Sequence, residues 1–449
     1  MIDGGDPLEL VPGVRRLRPD DHFMILAETD ASPMHVGALL LLDVPPAERP
    51  ELTSRFRQQL AARLPATPLL VRLVEAPDGF DSDVWAELAA ADLDVHVVEE
   101  ADIDLFAAIA RLNLERLDLR CPPFKAHVFP HHGAVYLKMH HAVADGIGFQ
   151  EVLRRLSDAG AGVAPRSKAA ELPAASIWRA MADARFAGEA SRRDAQSVAR
   201  KAALTALEAH RDQRTETPVL KLSGPTSPRR SYSTISIPLV PFRETAKALD
   251  ATINDLFLAC AAWALRDYLL MIDDLPDSPL VVNSARSYRR GEHGPFGNRI
   301  VALHPHLATH LADPMDRLRA IQASMASEMS RTSHDEALLD ALDKPFGARD
   351  RRAAFGNRAA GGGRVLPGNI TLSNVPGPAG ERSWCGYRQL HNYPVPIIGS
   401  GRFLNITSRR SGANLDMGVI ADPDKIADVT QVATMFGLAA GAYRRIAGC

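Results

Sequence analysis

Apolar positions along this chain follow two spacings, one near two residues and one near 3.6. Short apolar or alternating runs predict strands at residues 36–43, 124–130, 134–140, 232–239, 280–284, 369–373 and 415–421. Helical spacing predicts helices at 52–62, 105–117, 147–158, 240–249, 254–270 and 429–445. Strands and helices alternate on both sides of a middle stretch, which implies two α/β or α+β halves. That stretch, about 159–230, opens with small residues and Pro and continues as Ala- and Arg-rich helix. The composition shift divides the chain into a first half at 1–160, a largely helical crossover at 161–217 and a second half at 218–449. A Gly-rich stretch from Ala359 to Arg364 lacks the Lys-Ser/Thr of a phosphate loop and reads as a surface loop.

Composition narrows the class. The 449 residues carry 52 Lys+Arg against 54 Asp+Glu, a net charge of −2, with 46% hydrophobic and 24% charged residues. A chain so balanced is neither disordered nor collagen-like, and it is no nucleic-acid binder of the kind that relies on net positive charge. Its four cysteines, Cys121, Cys260, Cys385 and Cys449, are too scattered for a C-x-x-C motif or a disulfide framework. The first residues are acidic where a signal peptide is basic, and no apolar run approaches the ~20 residues of a membrane span. The expectation is a cytoplasmic protein without a membrane anchor.

The sharpest chemical feature is Met139-His140-His141-Ala142-Val143-Ala144-Asp145-Gly146, a tandem histidine between a strand and a helix. Alternation puts Val135, Leu137, Met139 and His141 on one face and Tyr136, Lys138 and His140 on the other, so one histidine alone can enter a given cleft. Three readings stand open: a structural pair at a strand end, a metal site with Asp145, and a general base. The metal reading lacks a third histidine, an H-E-x-x-H helix or a cysteine pair. A base needs a neutral imidazole with a neighbour that sets its tautomer. By contrast, His131-His132 precede Gly133 at a hairpin tip with no Asp-Gly after them, and read as turn residues. Asn254 opens a helix as an N-cap candidate, with capping alone or a part in the site both open. Ser373 ends a strand before Val375-Pro376-Gly377-Pro378, where turn capping and a place in a cleft are likewise open.

His140-His141-Ala142-Val143-Ala144-Asp145-Gly146 resembles the HHxxxDG signature of the CoA-dependent acyltransferase superfamily, which includes chloramphenicol acetyltransferases and peptide-synthetase condensation domains. Further blocks, in order, resemble the bacterial wax ester synthase/acyl-CoA:diacylglycerol acyltransferase family. They are Asp21-x6-Glu28 with Pro33-Met34-His35-Val36-Gly37, then Leu222-Ser223-Gly224-Pro225 with Ser227-Pro228-Arg229-Arg230. Thr252 to Leu256, Phe296-Gly297-Asn298-Arg299, Leu372 to Pro378 and Leu404-Asn405-Ile406-Thr407 complete the series. One block departs: Pro122-Pro123-Phe124-Lys125 has Lys where the family usually has an acidic residue, which touches substrate preference rather than fold.

The resemblance implies two similar chloramphenicol-acetyltransferase-like, three-layer domains with a tunnel between them. Acyl-CoA would enter one mouth and a fatty alcohol or diacylglycerol the other, with no cofactor and no metal. His141 would be the general base, and His140 would act more through local structure. Asn254 would place its amide near the reacting carbonyl, and the Ser373 hydroxyl would help hold the tetrahedral intermediate. Asp145, ahead of Gly146, would point away from substrate and pair with an arginine, for which Arg286 is the candidate. No G-x-S-x-G elbow is present, so no nucleophile is implied. Two alternatives remain open: an acyl donor bound to a carrier protein, and a catalytically silent binding protein on the same fold. The crossover helix at 191–211 sets Arg192, Arg193, Arg200 and Lys201 beside Val198, Leu204 and Leu207. It reads either as a solvated amphipathic helix or as a patch that meets a membrane or lipid droplet.

Overall fold

The computed structural model describes residues 11–77, 83–162, 168–187, 216–342, 368–378 and 380–449. The first half begins with β1 (Val14–Arg16), α1 (Pro19–Leu26), β2 (His35–Leu42), α2 (Leu52–Arg63), β3 (Val71–Val74) and β4 (Val84–Glu87). It continues with α3 (Leu93–His96), β5 (Val97–Glu99), α4 (Leu105–Leu112), β6 (Phe124–Phe129), β7 (Ala134–His140) and α5 (Gly146–Leu156). After α6 (Ala175–Ala187) the second half opens with β8 (Ser231–Pro238), α7 (Leu239–Ala248), α8 (Ile253–Met271), β9 (Val282–Ser287) and β10 (Ile300–Leu303). It closes with α9 (Pro314–Leu342), β11 (Ile370–Val375), β12 (Ser383–Trp384), β13 (Tyr387–Val395), β14 (Leu404–Ser411), β15 (Asn414–Ala421) and α10 (Val429–Ile446).

Two six-stranded sheets carry the halves, in the orders β12-β13-β2-β7-β6-β5 and β10-β9-β11-β14-β15-β8. Each is built on one hairpin, β6–β7 or β14–β15. The second strand of each hairpin pairs antiparallel with the first strand of its six-stranded sheet in chain order, β2 or β8. The first strand pairs parallel with β5 or β11. The two halves are therefore alike in topology, and each hairpin is followed by a helix, α5 or α10.

Spacing explains which faces are buried. In α2 the buried residues Leu52, Phe56 and Leu60 recur every four positions, and in α5 Phe149, Val152, Leu153 and Leu156 form the same kind of stripe. Both stripes pack with Val135, Leu137 and Met139 of β7. The opposite face of the first sheet offers Leu39, Phe129 and Tyr136, which pack with Ile109 of α4 and with Tyr232, Tyr393 and Ile420 from the second half. This cluster is the seam between the halves. Helix α8 is buried nearly all round and forms the centre of the second core. Among the described residues no single helix is long and apolar enough to cross a membrane.

The boundary at 218 divides the sequence but not the sheets. β12 and β13 belong to the second half by sequence, yet β13 pairs antiparallel with β2, from Gln389 opposite Leu42 to Val395 opposite Gly37. The crossing strand covers a backbone edge that β2 would otherwise leave unpaired. Of the crossover, α6 packs Trp178 and Met181 on Val14, Val84 and Ala86 of a small sheet, β1-β4-β3. The basic helix at 191–211 and the Gly-rich stretch at 359–364 lie outside the described residues.

Helix α4 stops at Leu112, five residues short of the predicted end. Its last turn is taken up by the buried Lys138, whose Nζ donates to Leu112 O at 2.6 Å and Glu115 O at 2.7 Å. Such capping of free carbonyls by a cation is favourable at a helix C-terminus. Lys125 stands directly across from Lys138. Burial, with the Lys125 charge adding to it against the pull of Glu115, brings the Lys138 ammonium down to about 7.

Candidate active site

β7 delivers the histidine pair and the chain then turns sharply into α5. The His140 N–H donates to Pro123 O at 2.9 Å and the His141 N–H to Met34 O at 2.8 Å, which fixes both Cα positions. Asp145 is the N-cap of α5, its Oδ1 accepting from Gly148 N at 2.9 Å. Gly146 starts the helix against the end of β11, so close that a Cβ there would lie 3.2 Å from Val375 Cγ2.

The two rings face different surroundings. His141 is half-buried and reaches the second half, with Nδ1 2.8 Å from Asn298 Oδ1. Asn298 Nδ2 lies 2.8 Å from Asp21 Oδ1 and 2.7 Å from His141 O, and Asn298 N donates to the same Asp21 oxygen at 2.8 Å. Burial holds the His141 imidazole below the usual histidine value, against the opposing pull of Asp145 and of the bond to Asn298. Asp21 is buried too, and burial pushes its carboxyl up to about 6 despite the bonds from Asn298.

His140 is fully buried. Its Nδ1 accepts from Ala142 N at 3.1 Å, and its Nε2 lies 3.6 Å from Glu28 Oε1. Glu28 is held in turn by Met34 N at 3.0 Å and by Arg116 at 2.7 Å. Burial alone would raise Glu28, but the nearby His140 imidazole and the bonds from Met34 and Arg116 outweigh it and bring its carboxyl down to about 2. His131 is exposed and His132 half-buried beyond the hairpin tip, apart from the site.

The arginine that meets Asp145 is Arg289, not Arg286. Arg289 Nη2 lies 2.8 Å from Asp145 Oδ2, which also accepts from Arg299 N at 3.0 Å. Arg286 sits within β9 opposite Val301 and donates to Thr332 Oγ1 of α9 at 3.3 Å. The strand ends at Ser287, and only the turn beyond it bends back to the seam, so the residue three positions on makes the pair. The same guanidinium donates to Gly294 O, Phe296 O and Gly297 O, and so braces the turn that carries Asn298.

Asn254 is not the helix cap. Thr252 caps α8 through a reciprocal box with Asp255: Asp255 N donates to Thr252 Oγ1 at 3.1 Å, and Thr252 N to Asp255 Oδ2 at 3.0 Å. Asn254 stands half-buried in the first turn. Ser373 is half-buried near the end of β11, two residues before the Val375 that touches Gly146. Among the described residues neither shares a hydrogen bond with the histidine pair. Asp21, Glu28, Arg289 and Asn298 were not singled out from sequence as site residues, although three of them stand in the blocks that carry the family resemblance.

Two sheets of like topology, with a strand-end histidine, His141, bonded across their seam, define a two-domain acyltransferase of the HHxxxDG type. Residues 17–257 match the family model described as the wax ester synthase/diacylglycerol acyltransferase catalytic domain, and residues 296–439 match the C-terminal domain of the same family. The chain belongs to the wax ester synthase/diacylglycerol acyltransferase family. A Mycobacterium tuberculosis protein that carries the name of a diacylglycerol O-acyltransferase, tgs2, is 30% identical over 427 residues, covering 90% of this chain and 93% of its own. A Mycobacterium bovis relative with the same kind of name is 30% identical over 445 residues, covering 89% of this chain and 85% of its own. Among solved structures, the wax ester synthase/diacylglycerol acyltransferase from Marinobacter aquaeolei VT8 superposes with a TM-score of 0.68 at 21% identity, covering 97% of this chain and 100% of that one. The first condensation domain of the calcium-dependent antibiotic synthetase gives 0.58 at 16% identity, with 97% of both chains covered. At these identities the last two likenesses speak for the fold.

Proposed function

We propose that the protein moves a long-chain acyl group from acyl-CoA to the hydroxyl of a fatty alcohol or diacylglycerol, giving wax ester or triacylglycerol, with His141 as general base. The observation that carries the reading is the His141 imidazole itself. It stands at the seam, uncharged near neutral pH because burial lowers its pKa, and one ring nitrogen is taken by Asn298. Among the described residues the other has no hydrogen-bond partner and can accept a proton.

As the alcohol oxygen attacks the thioester carbonyl, its proton passes to the imidazole. The tetrahedral intermediate collapses by breaking the C–S bond, and the imidazolium returns the proton to the departing thiolate to give the free thiol of CoA. Thiolate leaves easily, so positioning and oxyanion stabilisation do most of the remaining work. Ser373 is the proposed oxyanion donor, since its strand ends against the start of α5. Asn254 is the second, presented by the first turn of α8. Acyl-CoA and alcohol are proposed to approach from opposite mouths of a tunnel along the seam.

Purified protein given a panel of acyl-CoAs and of fatty alcohols and diacylglycerols should release CoA thiol and ester in equal amounts, read by mass spectrometry. Ester formed only from acyl groups on a carrier protein would replace this donor assignment. We further propose reversible, peripheral contact with lipid surfaces rather than insertion. Vesicle flotation should then weaken as salt rises, and protein that stays bound through salt and carbonate would refute it.

A further inference from the structure

The amide of Asn298 has only one orientation that satisfies its surroundings. Its Nδ2 faces two acceptors, Asp21 Oδ1 at 2.8 Å and the carbonyl of His141 at 2.7 Å, which use both of its hydrogens. Reversing the amide would set an oxygen against a carboxylate and a carbonyl. Oδ1 must therefore be the atom 2.8 Å from His141 Nδ1, and an amide oxygen can only accept. The hydrogen between them sits on the ring nitrogen.

We propose that Asn298, aimed by Asp21, is the positioning residue that holds His141 in its Nδ1–H tautomer and so makes Nε2 the atom that takes the proton from the alcohol. This rests on the reading of His141 as the base and adds which nitrogen acts and what selects it. Asp21 reaches His141 through Asn298: its Oδ1 receives both the backbone N–H and the side-chain N–H of that residue. Asp145, four residues after His141, is not the orienter, because Oδ1 serves the helix cap and Oδ2 serves Arg289 and Arg299.

The arrangement crosses the seam twice. Asp21 and His141 come from the first half and Asn298 from the second, in a turn docked by Gly297 N to Val143 O at 3.0 Å and Asp145 N to Gly297 O at 3.3 Å. Docking of the halves therefore supplies the base with its working tautomer, and a chain whose turn is displaced keeps the histidine but loses its orientation.

The experiment is ¹⁵N-histidine NMR of the full-length protein near neutral pH, with the His141 signals assigned by their loss in His141→Gln, together with steady-state kinetics. The wild-type ring should show a protonated Nδ1 and an unprotonated Nε2. In Asn298→Ala the His141 signals should move towards a tautomer mixture, and kcat should fall about 10–100-fold with KM for acyl-CoA little changed, the size expected for misplacing one catalytic group. Asp21→Asn should give a smaller loss in the same direction. Wild-type signals of the Nε2–H tautomer would overturn the proposal without any variant having to fold. A folded Asn298→Ala with unchanged signals or unchanged kcat would overturn it as well. Full activity in His141→Ala would instead defeat the base itself, whatever the tautomer.

Discussion

His141→Ala should lower kcat by ~10²–10⁴-fold while the protein keeps its fold, the range typical of losing a general base. The side chain is half-buried at the seam and bonds to Asn298, so its removal strips one hydrogen bond from the core and takes away the proposed proton acceptor. His140→Ala should cost less activity and more stability, because that ring is fully buried beside Glu28 and Ala142. Melting temperatures and steady-state rates of both variants decide the matter. Greater loss of activity in a well-folded His140→Ala would reassign the base. The pH profile carries a sign as well. In its proposed role as base His141 works unprotonated, and burial sets its pKa below the usual histidine value, so the rate should hold down to about pH 6.5 and fall only below it.

Breaking the Asp145–Arg289 pair should have the next largest effect. Both side chains are nearly sealed from water, at 1% and 10% exposure, and they meet at 2.8 Å. Removing one partner leaves a stranded charge, which typically costs ~3–5 kcal/mol. Asp145→Ala and Arg289→Ala should therefore each lower stability by that order, and activity with it, since Arg289 also braces the turn that bears Asn298. The double variant should be far less than additive, whereas Arg286→Ala combined with Asp145→Ala should add almost independently. Urea unfolding of the set measures both couplings. Strong coupling of Asp145 to Arg286 would contradict the geometry.

How much of this could be read from the chain depended on distance along it. The strand, the tandem histidine and the following helix form one continuous block, and their alternation assigned Met139 and His140 to opposite faces, as found. The pairings across the seam carry no local trace. Asp21 and Asn298 are 277 residues apart, and nothing in either neighbourhood announces the other. Arg286 looked right because it follows an apolar strand core, but a strand in mid-course cannot turn back to the seam as the loop at Arg289 does. The crossing of β13 was hidden for a similar reason: which edge a strand completes is a property of the assembled sheet. Asn254 is a different case, because Thr252-x-x-Asp255 is a capping box that local sequence does display.

Acyl transfer is proposed to run directly from acyl-CoA to an alcohol, promoted by the His141 imidazole with no acyl-enzyme between. Intact-protein mass spectrometry after mixing with acyl-CoA, first without and then with alcohol, tests it most directly. Unmodified protein and unspent acyl-CoA are expected in the first mixture. In the second, ester and free CoA are expected in equal amounts, both abolished in His141→Ala. A protein mass raised by one acyl group before alcohol is added, or undiminished ester formation by His141→Ala, would contradict it.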